Sequence, residues 1–272
     1  MGALTVTMSY STSPLFGPVV PEIGWAPPLR YLLRRNRVLK LLAPLPMEAL
    51  LEVGCGSGAL LHELARFAQQ AVGLETSEPA VRMAREIARL GGGRQEVVDM
   101  PSALWSGHFD LVCAFDVLEH IEQDTTAVDQ WLGWLRPGGR LCISVPAHGA
   151  RWGAGDVWAG HYRRYERAGL QELLRSKGMR IEHFECYGFP LANLTETMGN
   201  RVYRRLLAQR QHAYSPEESS SFSGIERADY LRVFGKIDTM AGRTALRLAN
   251  MAQAVTARTD LGSGYLVLAR IP

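Results

Sequence analysis

Leu51-Glu52-Val53-Gly54-Cys55-Gly56-Ser57-Gly58 closes a short apolar run and opens a helical one, with glycine at three alternate positions. Glycine adopts left-handed backbone without steric cost, and with no Cβ it lets a ligand approach the main chain closely. A glycine turn between a strand and a helix therefore suits a nucleotide-like cofactor. The pattern alone leaves two occupants open, because Gly54, Gly56 and Ala59 also satisfy the dinucleotide fingerprint with alanine as its third member.

Outward from this turn, short apolar runs alternate with segments of helical periodicity. Strands are predicted at residues 49–53, 71–75, 94–98, 109–115, 140–145 and 180–187, with helices at 59–68, 79–90, 125–135 and 167–177. Such βα alternation predicts a doubly wound α/β fold: a mostly parallel, seven-stranded sheet with helices on both faces and ligands at the carboxyl ends of the strands. After Gly188 the alternation stops. Helical stretches at 191–211 and 228–256 flank a polar loop at 215–224, and a last strand follows at 265–269, so the fold carries a helical insertion before its final strand. Upstream, residues 1–27 are rich in Pro, Gly, Ser and Thr and read as a loose arm. Pro27-Pro28 then opens a helix at 29–42 that carries Arg30, Arg34, Arg35, Arg37 and Lys40 among leucines. The division expected is an N-terminal arm and lid helix (1–46), a cofactor-binding core (47–188), a helical insertion serving as substrate lid (189–261) and the last core strand (262–272).

Four features decide between the two occupants. Glu52 stands two residues before the first glycine, Glu75 closes the second predicted strand, and Asp99 follows the third in Val97-Val98-Asp99-Met100. The fourth is the ordered set Phe109-Asp110-Leu111-Val112, Leu118-Glu119-His120-Ile121 and Leu135-Arg136-Pro137-Gly138-Gly139-Arg140-Leu141. Together these resemble the class I S-adenosylmethionine-dependent methyltransferases of bacterial small-molecule type, over residues 49 to about 187. The resemblance implies S-adenosyl-L-methionine as cofactor, with Glu52 near its methionine end, Glu75 on the ribose hydroxyls and Asp99 on the adenine amino group. It extends the cofactor set to Gly54, Gly56, Gly58, Thr76, Met100, Phe115, Asp116 and His120. An NAD-binding oxidoreductase leaves Asp99 and the Leu-Glu-His-Ile element without a role.

Methyl transfer is an in-line displacement that depends on positioning, with a base needed only for a protonated acceptor. His161 and His120 are the catalytic candidates. The segment from His148 through Trp152, His161, Tyr162, Arg163 and Arg164 to Tyr165 supplies aromatic walls and Arg forks, and is the expected substrate site. Tyr162 and Tyr165 packing beneath a helix start, with the two arginines solvated, is the alternative. Similar His-Tyr-Arg-Arg-Tyr text occurs in a bacterial subgroup whose members vary in acceptor. Phe115-Asp116-Val117-Leu118 lacks the Asn/Asp-Pro-Pro-aromatic motif of enzymes that methylate base amino groups, and a formal charge of +3 over 272 residues provides no broad phosphate footprint. A small-molecule acceptor, biosynthetic or lipid-linked, is the expected partner, with no nucleic acid, and the chain is expected to act as a monomer or homodimer.

Cys55, Cys113, Cys142 and Cys186 are far apart and read as reduced core residues, and Cys, His and acidic residues do not cluster at metal-ligand spacing, so no metal is expected. The opening residues show no basic start with an apolar run, no stretch of eighteen apolar residues occurs, and Val6 breaks the myristoylation pattern. A cytoplasmic protein is the expectation.

Overall fold

In the computed structural model, β3 (Ala49–Val53) and β6 (Phe109–Phe115) are buried at every residue, as strands covered on both faces must be. The structure describes residues 10–209, 215, 216, 219 and 228–272. Around this central pair are β4 (Gln70–Leu74), β5 (Glu96–Val98), β7 (Leu135–Pro146), β8 (Arg180–Tyr187) and β9 (Gly264–Arg270), in the sheet order β5-β4-β3-β6-β7-β9-β8. The first five run parallel, whereas β9 is antiparallel to both β7 and β8. The reason is local: the chain leaves β8 at Tyr187 and re-enters at Gly264 directly opposite, so the returning strand must run the other way. The expected fold is confirmed, including the insertion before the last strand. The order reverses at β3, placing the ends of β3, β4 and β6 around one crevice.

Helices α1 (Leu29–Leu42), α2 (Ala59–Leu64) and α3 (Glu78–Leu90) pack on one face, and α4 (Asp124–Trp134) and α6 (Arg167–Ser176) on the other. A short α5 (Ala154–Ala159) lies in the segment after β7, and α7 (Leu191–Gln209), α8 (Ala228–Ile237) and α9 (Met240–Thr256) make up the described part of the insertion. Leu231, Phe234, Ile237 and Leu246 pack into the core, while Leu206 and Leu248 are exposed. The polar loop expected at 215–224 lies outside the described residues apart from 215, 216 and 219. All four cysteines are free and buried. No helix among the described residues is long and apolar enough to cross a membrane.

Residues 10–27 are not a loose arm. They form a hairpin of β1 (Ser11–Ser13) and β2 (Gly17–Val19), with Phe16, Val19, Val20 and Trp25 buried. Turn-forming residues dominate the composition, but the apolar ones between them all find the same core. Arg35 fixes the segment: its guanidinium bonds the Pro14 and Leu15 carbonyls at 3.1 and 3.2 Å and forms a two-point pair with Glu63 of α2. Arg37 makes a second fork, 2.8 and 2.6 Å from the two Glu185 oxygens, joining α1 to β8.

Arg35→Leu should therefore destabilise the protein by about 3–5 kcal/mol, because it strands a buried carboxylate and two carbonyls. Arg82→Leu, which breaks an exposed pair with Glu78, should change stability by less than about 0.5 kcal/mol. Urea unfolding of the two variants checks both.

Candidate functional site at the carboxyl edge of the sheet

All three glycines of the first turn have left-handed backbone, with φ of 63° at Gly54, 55° at Gly56 and 70° at Gly58. Their surroundings differ. A Cβ on Gly54 would lie 2.6 Å from Val117 Cγ2, and one on Gly58 would lie 2.7 Å from Ala84 Cβ. At Gly56 nothing comes within 4 Å, so that glycine faces open space in the crevice. Gly54 and Gly58 serve packing; Gly56 leaves room for a ligand.

Acids line the neighbouring strand ends. Glu75, just past β4, accepts from the Gly56 and Ser77 amides at 2.8 and 2.9 Å, which fixes its carboxylate beside the open glycine. Asp99 is exposed just past β5, while Thr76 and Met100 are exposed beside these acids. Glu52 is the unusual one: it is buried in β3, and its Oε2 has no hydrogen-bond partner. Burial pushes its carboxyl up to about 8, with Arg34 opposing and Glu75 adding to the rise.

At the end of β6, Asp116 takes a left-handed backbone with φ of 54°. Its carboxylate bonds Arg34, accepts from Ser144 Oγ at 3.1 Å and Tyr187 Oη at 3.4 Å, and lies 3.7 Å from Arg30. Burial raises the Asp116 carboxyl, but Arg34 and Arg30 outweigh it and hold the group below its ordinary range. The α1 residues Arg30 and Arg34 are thus committed to Asp116, and neighbouring Phe115 is buried beneath Arg34.

The turn Leu118–His120 follows. Glu119 is fully buried, neither of its carboxyl oxygens has a partner, and burial together with Asp116 pushes it well up. The His120 and His161 rings meet edge to face with centroids 4.6 Å apart, and His161 Nε2 is 3.9 Å from Glu119 Oε1. Burial and the adjacent His161 hold the His120 ring down at about 4. On the other side of His161, Nδ1 lies 2.9 Å from Asp156 Oδ1. Burial alone would raise Asp156, yet its bonds to His161 and Arg164 hold it down at about 2. Residues forty apart in sequence thus form one polar cluster, and its donor atoms lie close enough together to hold a metal ion.

The 148–165 segment divides in two. Trp152 is exposed, and Tyr162 and His161 are half-buried near the cluster. His148, at φ of 64°, is 3.5 Å from Tyr265 Oη. The expected acceptor roles of three others are corrected. Tyr165 is buried and donates its hydroxyl to Asp124 at 2.9 Å; Arg163 pairs with Asp124 at 2.7 Å; Arg164 is spent on Asp156 and Glu196 at 2.8 and 2.5 Å. A guanidinium with carboxylate partners inside the protein is not a free anion fork. Sequence reasoning missed Glu119, Asp156 and the Arg34–Asp116 pair. Arg30 and Arg34 one helical turn apart were the visible signal for the last, and nothing marked Asp156 before α5 brought it to His161.

Residues 51–143 match the family model of a methyltransferase domain. The chain is 31% identical over 150 residues to a ubiquinone biosynthesis O-methyltransferase of Xanthomonas axonopodis pv. citri, covering 48% of this chain and 62% of that protein. It is 29% identical over 117 residues to the corresponding protein of Yersinia pestis, covering 42% and 48%. The matches thus span about half to three-fifths of these relatives' length. Among solved structures, the [4+2]-cyclase SpnF aligns over 96% of this chain and 88% of its own with a TM-score of 0.55 at 20% identity. A methyltransferase candidate from Bacillus halodurans aligns over 87% and 98%, also at 0.55, with 17% identity. These two share the fold.

Gly58→Ala should destabilise the protein by about 1–3 kcal/mol, since it combines unfavourable backbone with a clash. Gly56→Ala should cost less, because only the backbone term applies. Thermal or urea unfolding of the pair measures the difference.

Proposed function

We propose that this chain is a class I S-adenosylmethionine-dependent methyltransferase, a reading supported by the methyltransferase-domain match over residues 51–143 and by the sheet order, and that it transfers a methyl group from S-adenosyl-L-methionine to an oxygen or nitrogen of a small biosynthetic or lipid-linked acceptor. The observation that carries this is the row of acids along the ends of β3, β4 and β5 beside the open Gly56. The donor chemistry fits: a buried carboxyl with an orphaned oxygen suits an ammonium, Glu75 suits two vicinal hydroxyls, and the exposed Asp99 suits an amino group. When bound, the cofactor supplies a sulfonium methyl group open to in-line attack.

This chain's own residues then position and protect. Glu52, Gly56, Glu75, Thr76, Asp99 and Met100 bind the cofactor, with Gly54 and Gly58 holding the turn in shape by close packing and Phe115 and Asp116 shaping the wall under α1. His161, oriented by Asp156, and His120 manage the proton of the acceptor, and His148, Trp152 and Tyr162 border its place. Helices α1 and α7 cover the rim and exclude water, which strengthens every electrostatic contact inside. The reading carries with it a cytoplasmic setting and action as a monomer or homodimer.

Calorimetric titration with S-adenosylhomocysteine should show binding, with none for NAD or NADP; nicotinamide binding alone would overturn the reading. Glu75→Ala and Asp99→Ala should each weaken S-adenosylhomocysteine binding by about tenfold or more; Asp99→Ala should leave the unfolding midpoint nearly unchanged, while Glu75→Ala, which frees the Gly56 and Ser77 amides, should lower stability by less than it lowers binding. The Glu52 carboxyl, pushed up to about 8, is protonated in the free protein at neutral pH, and a cationic amine favours its ionised form. Binding therefore releases a proton below that value. Affinity should rise with pH between 6 and 8, by up to about tenfold per unit, and then level off. In Glu52→Gln that slope should vanish.

A further inference from the structure

The cluster after β6 gathers ligand-type oxygen and nitrogen atoms that form no hydrogen bonds with one another. Glu119 is fully buried with both oxygens unpartnered, and His120 Nδ1 is buried and unpartnered as well. His161 Nε2 faces Glu119 Oε1 across 3.9 Å, and one donor atom from each of the three residues lies within 4.8 Å of the others. Each imidazole is anchored at another point: His161 Nδ1 on Asp156 at 2.9 Å, and the His120 ring on the Gly160 backbone. A histidine that gives one ring nitrogen to a carboxylate or carbonyl presents the other as an oriented ligand, which is how metal-binding histidines are held.

We propose that Glu119, His120 and His161 form a site for one divalent transition cation of the Zn²⁺ type, with Asp156 as the positioning residue for His161. Two imidazoles and one carboxylate favour a borderline cation over Mg²⁺ or Ca²⁺, which take oxygen ligands. Three protein donors leave a coordination position open, the arrangement of a catalytic rather than a structural zinc. Donors around a tetrahedral ion at about 2.1 Å stand about 3.4 Å apart, so occupation draws the cluster inward by about an ångström. Asp116 lies close by but is not a ligand, because Arg34 and Arg30 hold its carboxylate.

The use of the cation rests on the methyl-transfer reading. With the cation bound, His120 and His161 serve as its ligands in place of the base role given above, and a hydroxyl of the acceptor in the open position would lose its proton to solvent more readily. Its oxygen lone pair then forms the new O–CH₃ bond as the C–S bond breaks, and sulfur keeps that electron pair as a neutral thioether. The binding site itself stands without that reaction.

The test is titration of the chelator-stripped full chain with Co²⁺ alone, followed by visible absorption and by equilibrium dialysis. One Co²⁺ per chain with imidazole-type ligand-field bands is expected, displaceable by Zn²⁺. Glu119→Gln and His161→Gln should each lower the affinity at least a hundredfold, and Asp156→Asn ten- to a hundredfold. His183→Gln, which removes a separate His–Glu pair on β8, should change nothing. Circular dichroism and S-adenosylhomocysteine titration of every variant establish that the chain is folded. No Co²⁺ binding by the wild-type protein, or equal affinity in folded Glu119→Gln and His161→Gln, overturns the site. Loss of S-adenosylhomocysteine binding with Co²⁺ binding retained overturns the proposed reaction and leaves the site standing.

Discussion

The ion pair between Arg34 and Asp116 governs the geometry of the crevice. Asp116 turns the chain with left-handed backbone directly after β6, a conformation that costs a non-glycine residue about 1–3 kcal/mol. Its carboxylate collects Arg34 and Arg30 from α1, Ser144 from β7 and Tyr187 from β8, and charge-assisted bonds of this kind offset such strain. Everything beyond the turn takes its place from it. Val117 comes to rest against Gly54, Glu119 points into the protein, and His120 reaches His161. The N-terminal helix is therefore part of the site's framework, with the Arg35 and Arg37 forks holding it to α2 and β8.

The electrostatics of the crevice follow from an imbalance. Two buried carboxyls, Glu52 and Glu119, have orphaned oxygens, while the Arg30 and Arg34 guanidiniums are committed to Asp116. Burial raises both acids, and each would ionise on meeting positive charge. A crevice so arranged discriminates by charge before it discriminates by shape. SpnF, a cyclase on the same fold, illustrates why such local chemistry rather than the sheet must carry the functional argument.

Most of the sheet was legible in the sequence because strands buried on both faces read as apolar runs, as 49–53 and 109–115 do; 180–187 also matches, an edge strand in which apolar and polar residues are mixed. Strand 140–145 was read short, since β7 already begins at Leu135 and runs through Pro137, Gly138 and Gly139, residue types that disfavour strand interiors. The N-terminal hairpin was hidden because composition reports turn formers, whereas the buried Phe16, Val20 and Trp25 act one at a time through tertiary contacts. The glycine loop and its acids were visible through spacing along one strand–turn–helix unit. The Glu119–His120–His161 cluster was not, because its members are joined by a crossover and α5 rather than by periodicity. Arg163, Arg164 and Tyr165 looked like ligand-binding residues for the same reason in reverse: sequence displays their chemistry but not the carboxylates waiting for them.

Strand β9 sets the order in which this architecture can assemble. It lies between β7 and β8 and pairs with both along its length, although more than a hundred residues separate it from β7 in the chain. Until it arrives, β7 presents an open edge to any other extended segment, and β8 has no partner in the sheet. Closing so long a loop is entropically slow, and contacts of this sequence separation lower the folding rate. The nascent core is thus most exposed to misassociation in the interval before its antiparallel strand is seated, so conditions that delay that seating should show first as aggregation rather than as a lower equilibrium stability.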